Sequence, residues 1–195
     1  MLKKLLLLVC ALILVSGVFA DISVVTENNK TTYKQGEVYD LGTAQKGETV
    51  IVNISSDPNY QEIQAEWTQL QIVPESLPEG WTFANSPENK KVLSAHVTIS
   101  PTAKPAEYYE FKVKAENSSN LLESETLRIR VKVDKGLLRI ELPETVKTLE
   151  QGSKTEFKMT LTNSSIAPHT VKVQTDLPQN WFEEQLVTVE PGEKK

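Results

Sequence analysis

His96 and His169 are the first side chains to weigh for proton transfer or metal binding, being the two histidines of a 195-residue chain. His96 takes the outward parity of a segment whose inward set is Leu93, Ala95, Val97 and Ile99, so solvent is its expected surrounding. His169 follows Pro168 at the start of a segment containing Val171, where it can tuck in partly. Neither stands at ligand spacing to another histidine or a cysteine, so no zinc site is expected. The chain has no G-x-S-x-G, no H-E-x-x-H and no glycine-rich phosphate loop. Carboxylate pairs such as Glu123 with Glu125, or Glu183 with Glu184, lie in polar contexts, whereas glycoside hydrolysis needs two acids converging on a cleft, one in an apolar pocket. Asp134 stands alone, away from any calcium-loop run of acids. The expectation is a protein that is not an enzyme, with no catalytic, cofactor-binding or metal residues and no cofactor.

Aromatic and asparagine residues offer a different chemistry. Tyr108 falls on the outward parity of its segment, and it and Phe83 are the candidates for stacking on a sugar ring. Trp67 has inward parity, and Trp81 and Trp181 each follow Leu-Pro-x-x, which reads better as a core anchor under a loop. Asn-x-Ser/Thr occurs at Asn29, Asn53, Asn117 and Asn163; Asn117, in the polar turn "ENSSN", is the expected acceptor if the host glycosylates exported proteins.

Charge and targeting narrow the setting. The opening "MLKKLLLLVCALILVSGVFA" has two cations, an apolar run and small residues before Asp21, the layout of a secretory signal peptide spanning 1–20, with an expected helical apolar stretch. The uncharged run from Leu5 to Ala20 falls short of the about 20 residues that cross a bilayer. An exported protein of the extracellular space or cell surface is expected, touching the membrane only through this signal or through sequence beyond Lys195. The chain has 21 basic and 26 acidic residues, and loss of Lys3 and Lys4 deepens the deficit. A surface so acidic repels phosphate backbones, which excludes nucleic acid as a partner. Cys10 leaves with the signal, so the remaining chain must fold on its apolar core without disulfides.

The elements that carry these residues alternate with a period of two. Inward sets are Val50, Val52 and Ile54; Ile63, Ala65 and Trp67; Leu93 to Ile99; Tyr109, Phe111, Val113 and Ala115; Leu127, Ile129, Val131 and Val133; and, in "TEFKMTLTN", Phe157, Met159 and Leu161. Turn-rich breaks fall at 55–59, 84–89, 100–105 and 116–120. Short strands between such turns predict an all-β, Greek-key sandwich.

The order then repeats. "KGETVIVNIS" and "QGSKTEFKMTLTNSS" each lead to a further strand, to "LPEGW" or "LPQNW", and to a strand ending in proline, "VTISP" or "VTVEP". This predicts tandem immunoglobulin-like β-sandwiches over 21–135 and 136–195, joined end to end through "DKG". The second lacks the two strands that follow Pro101 in the first, so inner-face residues such as Phe157, Met159 and Trp181 are expected to stand partly open, and the chain reads as part of a longer protein.

Gly152 to Ser165, Leu177 to Trp181 and Val187 to Lys195 form a pattern that resembles the NPCBM-associated NEW-type domains. The match is good over 137–195 and looser over 22–134, where an insertion near 84–93 and the run Gln61–Leu70 depart from it. The resemblance implies an immunoglobulin-like module of exported prokaryotic proteins, accessory or spacer in role, with no catalytic residues to carry over. Three functions follow as expectations: a surface spacer, adhesive or assembly module contacting protein or glycan; a carbohydrate-binding accessory module of a larger glycan-active enzyme; and, last, a chaperone or pilus-type subunit, for which no spare alternating tail is present.

Overall fold

The computed structural model describes residues 21–26, 29–57, 67–85, 90–118, 124–148, 150, 152–175 and 182–195. The signal segment, Ile63, Ala65 and Trp181 lie outside them. The described residues are all β, apart from one 3₁₀ turn at Pro74–Ser76.

Two sheets build the N-terminal part. The first runs β2 (Asn29–Tyr33), β1 (Ile22–Thr26), β4 (Thr49–Ser55), β7 (Val92–Thr98) and β6 (Thr82–Ala84). The second runs β3 (Val38–Gln45), β9 (Ser124–Asp134), β8 (Glu107–Glu116) and β5 (Gln69–Ile72). Neighbours are antiparallel except β3 and β9, which run parallel. The inward sets of β4, β7, β8 and β9 meet in one apolar cluster that also takes in Ile22, Val24 and Trp67. Both inner faces therefore share one core, an arrangement compatible with a β-sandwich. Each buried aliphatic or aromatic side chain contributes roughly 1.5–3 kcal/mol, which is how a chain without disulfides holds these sheets.

Leu-Pro-Glu-Gly-Trp is a turn that aims a ring inward. Trp81 N–H donates to Pro78 O at 3.2 Å, and Gly80 takes φ +77. A side chain at Gly80 would put its Cβ 2.9 Å from Ser100 Oγ. The buried Trp81 ring then lies 5.3 Å from Tyr109 and 6.3 Å from Phe111, centroid to centroid.

Two strands differ from expectation. Inward Trp67 is followed by Leu70 and Ile72, so parity changes between Trp67 and β5. The strand expected over "TEFKMTLTN" begins only at Thr160: β11 spans Thr160–Asn163, with Leu161 buried and Phe157 50% exposed.

The C-terminal part pairs β10 (Leu138–Glu141) with β11, and β12 (His169–Val173) with β13 (Gln185–Val189). Leu161 and Lys195 exchange N–H···O bonds of 2.8 and 2.9 Å, so the last residues flank β11 on its other side. In the N-terminal part that place beside the aligned strand β4 belongs to β7, so strand pairing does not repeat as the sequence does. Ile140, Val146, Phe157 and Leu186 are exposed here.

Candidate functional site

A four-residue turn recurs along the chain with glycine third: Lys34–Glu37, Gln45–Glu48 and Glu190–Glu193. In each, the fourth N–H donates to the first carbonyl at 3.0 to 3.2 Å. The glycines take φ of +83, +81 and +73, the left-handed conformation that the third position of a type II turn demands. All three turns end in glutamate, whose Oε2 accepts from the first N–H: Lys34 N at 2.9 Å, Gln45 N at 2.8 Å and Glu190 N at 2.8 Å. That bond, seconded by Lys195, holds the Glu193 carboxyl below its ordinary range.

Glu48 does more than close its turn. Ser165 Oγ donates to the same Oε2, and His169 Nε2 lies 2.7 Å from Oε1. The second contact is close but not aligned as a hydrogen bond, so it acts as an ion pair whenever the imidazole is protonated. The Glu48 side chain is 11% exposed, and Gln45 Nε2 lies 3.4 Å from the same imidazole nitrogen. Gln45, Glu48 and His169 line a cleft of about 400 Å³ at the junction of the two parts, walled also by Ala103, Pro105 and Val133.

The partner of Glu48 sits on a loop that braces itself. Asn163 Nδ2 donates to Ala167 O at 2.9 Å and to Val189 O at 3.0 Å, while its Oδ1 accepts from Ser165 N at 2.8 Å. Ala167 N donates to Ser165 Oγ at 3.1 Å. The loop reaches the N-terminal part through its backbone, Ile166 N donating to Thr43 O at 3.0 Å, and Ser164 N donates to Leu137 O at 2.8 Å. Gly136 N donates to Gln45 Oε1 at 3.2 Å, tying down the connection between β9 and β10.

The asparagine positions have unlike surroundings. Asn29 is exposed where β2 begins. Asn53 is half-buried, its Oδ1 accepting from Ser94 Oγ at 2.7 Å. Asn117, expected to be the accessible acceptor, is 8% exposed, and Asn163 is 1% exposed with its amide committed as above. A glycan on Asn163 would have to break those bonds.

Tyr108 is 61% exposed on the outer face of the β3-β9-β8-β5 sheet, with Arg130 Cζ 5.3 Å from its ring centroid. Arg130 in turn donates to Asp40 Oδ2 at 2.7 and 3.2 Å, while Glu110 pairs with Arg128 and Lys132 with Asp134 at 2.9 Å. The Lys132 ammonium, and after it the Lys135 N–H, hold the Asp134 carboxyl below its ordinary value. Phe83, 39% exposed, belongs to β6 in the other sheet, so the two rings do not form one platform. His96 is exposed, and Trp67 is buried with Trp81. Among the described residues no three of His, Cys, Asp and Glu gather in a metal-binding arrangement.

Sequence reasoning singled out His169 but not Glu48 or Ser165, which are 117 residues apart. The recurring Gly-Glu of "KQGE", "QKGE" and "EPGE" was a signal for the turns. It gave none for the contact.

No family model matches the chain, and no curated protein matches it. Among solved structures it is similar to the VesB protease of Vibrio cholerae, with a TM-score of 0.31 and 14% identity over 49% of this chain and 30% of that one. A likeness of that extent carries no argument about fold or activity.

Proposed function

We propose that the chain is an exported, non-catalytic surface protein made of two immunoglobulin-like modules, 21–135 and 136–195, behind a signal peptide at 1–20, and that it serves as a spacer, adhesive or assembly element. The sequence repeat and the resemblance to NEW-type domains support this reading. The observation that carries it is the junction, where Lys135-Gly136-Leu137 is the whole connection between β9 and β10, the Gly136 N–H pins that connection to the Gln45 side chain, and a backbone bond from Ile166 to Thr43 ties the parts together. A short, bonded connection transmits position, which is what a spacer needs. Small-angle scattering of the purified chain tests it: an elongated particle is expected, and a compact globule contradicts it.

A second reading, a carbohydrate-binding accessory module, draws on the exposure of Tyr108 above Arg130. It predicts retardation of the chain in gels containing a polysaccharide and loss of that retardation in Tyr108→Ala. Equal migration of both proteins with and without polysaccharide removes it.

A further inference from the structure

We infer that Glu48, Ser165 and His169 form a lock that fixes the orientation of the C-terminal part on the N-terminal part, and that Asn163-Ser164-Ser165 is the wedge that works it rather than a glycan acceptor. The inference rests on the two-module reading and deepens it.

The repeated turns supply an internal comparison. Glu37 and Glu193 use one carboxylate oxygen to close their turns, the same bond that Glu48 makes. Among the described residues, only at Glu48 of these three do side chains from the other part converge on the carboxylate, Ser165 on Oε2 and His169 beside Oε1. Taking Glu48 to 11% exposure costs solvation, which the Ser165 hydroxyl and the Gln45 N–H offset at Oε2. Hydrogen bonds to a charged, largely buried group are directional, so they select one orientation where apolar contact alone would tolerate several.

Asn163 makes the wedge rigid before it docks. Its three bonds to Ala167, Val189 and Ser165 fix the loop from within, so Ser165 Oγ and Ile166 are presented without further ordering. Ile166 then packs against the N-terminal core beside Gly42, and its N–H takes the free carbonyl of Thr43 on the edge strand β3. At Thr43 the edge of the second sheet is thereby paired by the same loop that sets the orientation.

Trypsin cleavage after Lys135, read as the new amino terminus at Gly136, reports opening of the connection in the full chain. Glu48→Gln and Ser165→Ala should each raise that rate about tenfold, the scale of a lost hydrogen bond to a charged group, while Glu37→Gln, whose carboxylate closes the equivalent turn at Lys34, should not. The double variant should cleave no faster than the faster single one, because both remove the same contact. Rates for E48Q and S165A equal to that of E37Q, or effects that multiply fully in the double variant, overturn the lock. Should S165A fail to unfold cooperatively, His169→Ala replaces it, since it leaves the bond from Ala167 N to Ser165 Oγ in place; unchanged cleavage in both H169A and E48Q is then the contrary result. An elongated particle in scattering with unchanged cleavage removes the lock alone, whereas a compact one removes the spacer reading beneath it.

Discussion

Ile166 rests on Gly42: a Cβ built on that glycine would lie 2.7 Å from Ile166 Cγ2, closer than van der Waals contact permits. Gly42 also has φ +115 and marks a register shift in the β3–β9 ladder after Asp40. Space and backbone thus both demand glycine where the C-terminal part docks. Gly42→Ala should lower stability by about 1–3 kcal/mol through overpacking and backbone strain. Urea unfolding measures it, and adding Ile166→Ala should recover the packing share but not the strain.

Trp81 anchors the Leu-Pro-x-x-Trp turn in the core against Tyr109 and Phe111. Trp81→Ala should cost about 3–5 kcal/mol, the range for removing a large buried ring. Thermal unfolding followed by near-ultraviolet circular dichroism reports it. A loss below about 1 kcal/mol would mean that the ring is not a core element.

The order of these elements was legible where one face of a strand is buried. In β4, β7, β8 and β9, residues such as Val52, Ala95, Phe111 and Ile129 alternate with solvated neighbours, and that alternation is the imprint of the core itself. It fails in β3, where the irregularity between Asp40 and Gly42 breaks the parity of "VYDLGTAQ". It fails in β2, an edge strand whose "NKTTY" is solvated along most of its length and which is held by pairing with β1. Phe157 and Met159 carry the alternation, yet no strand forms there among the described residues, since a pattern promises burial only if another face covers it. The junction was illegible for a different reason. Glu48, Ser165 and His169 meet through tertiary geometry, and polar contacts leave no period in the chain.

Acid should weaken the fold through Asp134 and Glu193. Both carboxyls are held below their ordinary values, Asp134 first by the Lys132 ammonium and Glu193 first by the Glu190 N–H. A depressed folded-state value means that the unfolded chain binds protons more readily. The stabilisation is therefore complete above the ordinary carboxylate range, about 3.9 to 4.3, and declines as pH falls through the lower folded values. Unfolding in urea from pH 7 to 3 should show this loss, and Asp134→Asn should flatten part of it.

Glycosylation should discriminate among the four acceptor sequences by exposure. Expressed through the secretory pathway of a glycosylating host, Asn29 should carry glycan and Asn163 should not, once the loop has closed on its amide. Peptide mass mapping decides this. Asn163→Gln should lower stability without altering the glycan mass, because glutamine cannot place its amide on both Ala167 O and Val189 O.

The central claim is that the two parts hold one orientation, and a distance distribution measures that most directly. With Cys10 replaced by serine, spin labels at Lys112→Cys and Leu186→Cys, exposed positions on either side of the junction, can be read by pulsed electron resonance. A single narrow distribution that broadens in Glu48→Gln is the predicted result. A distribution already broad in the parent, or one indifferent to Glu48, would contradict it.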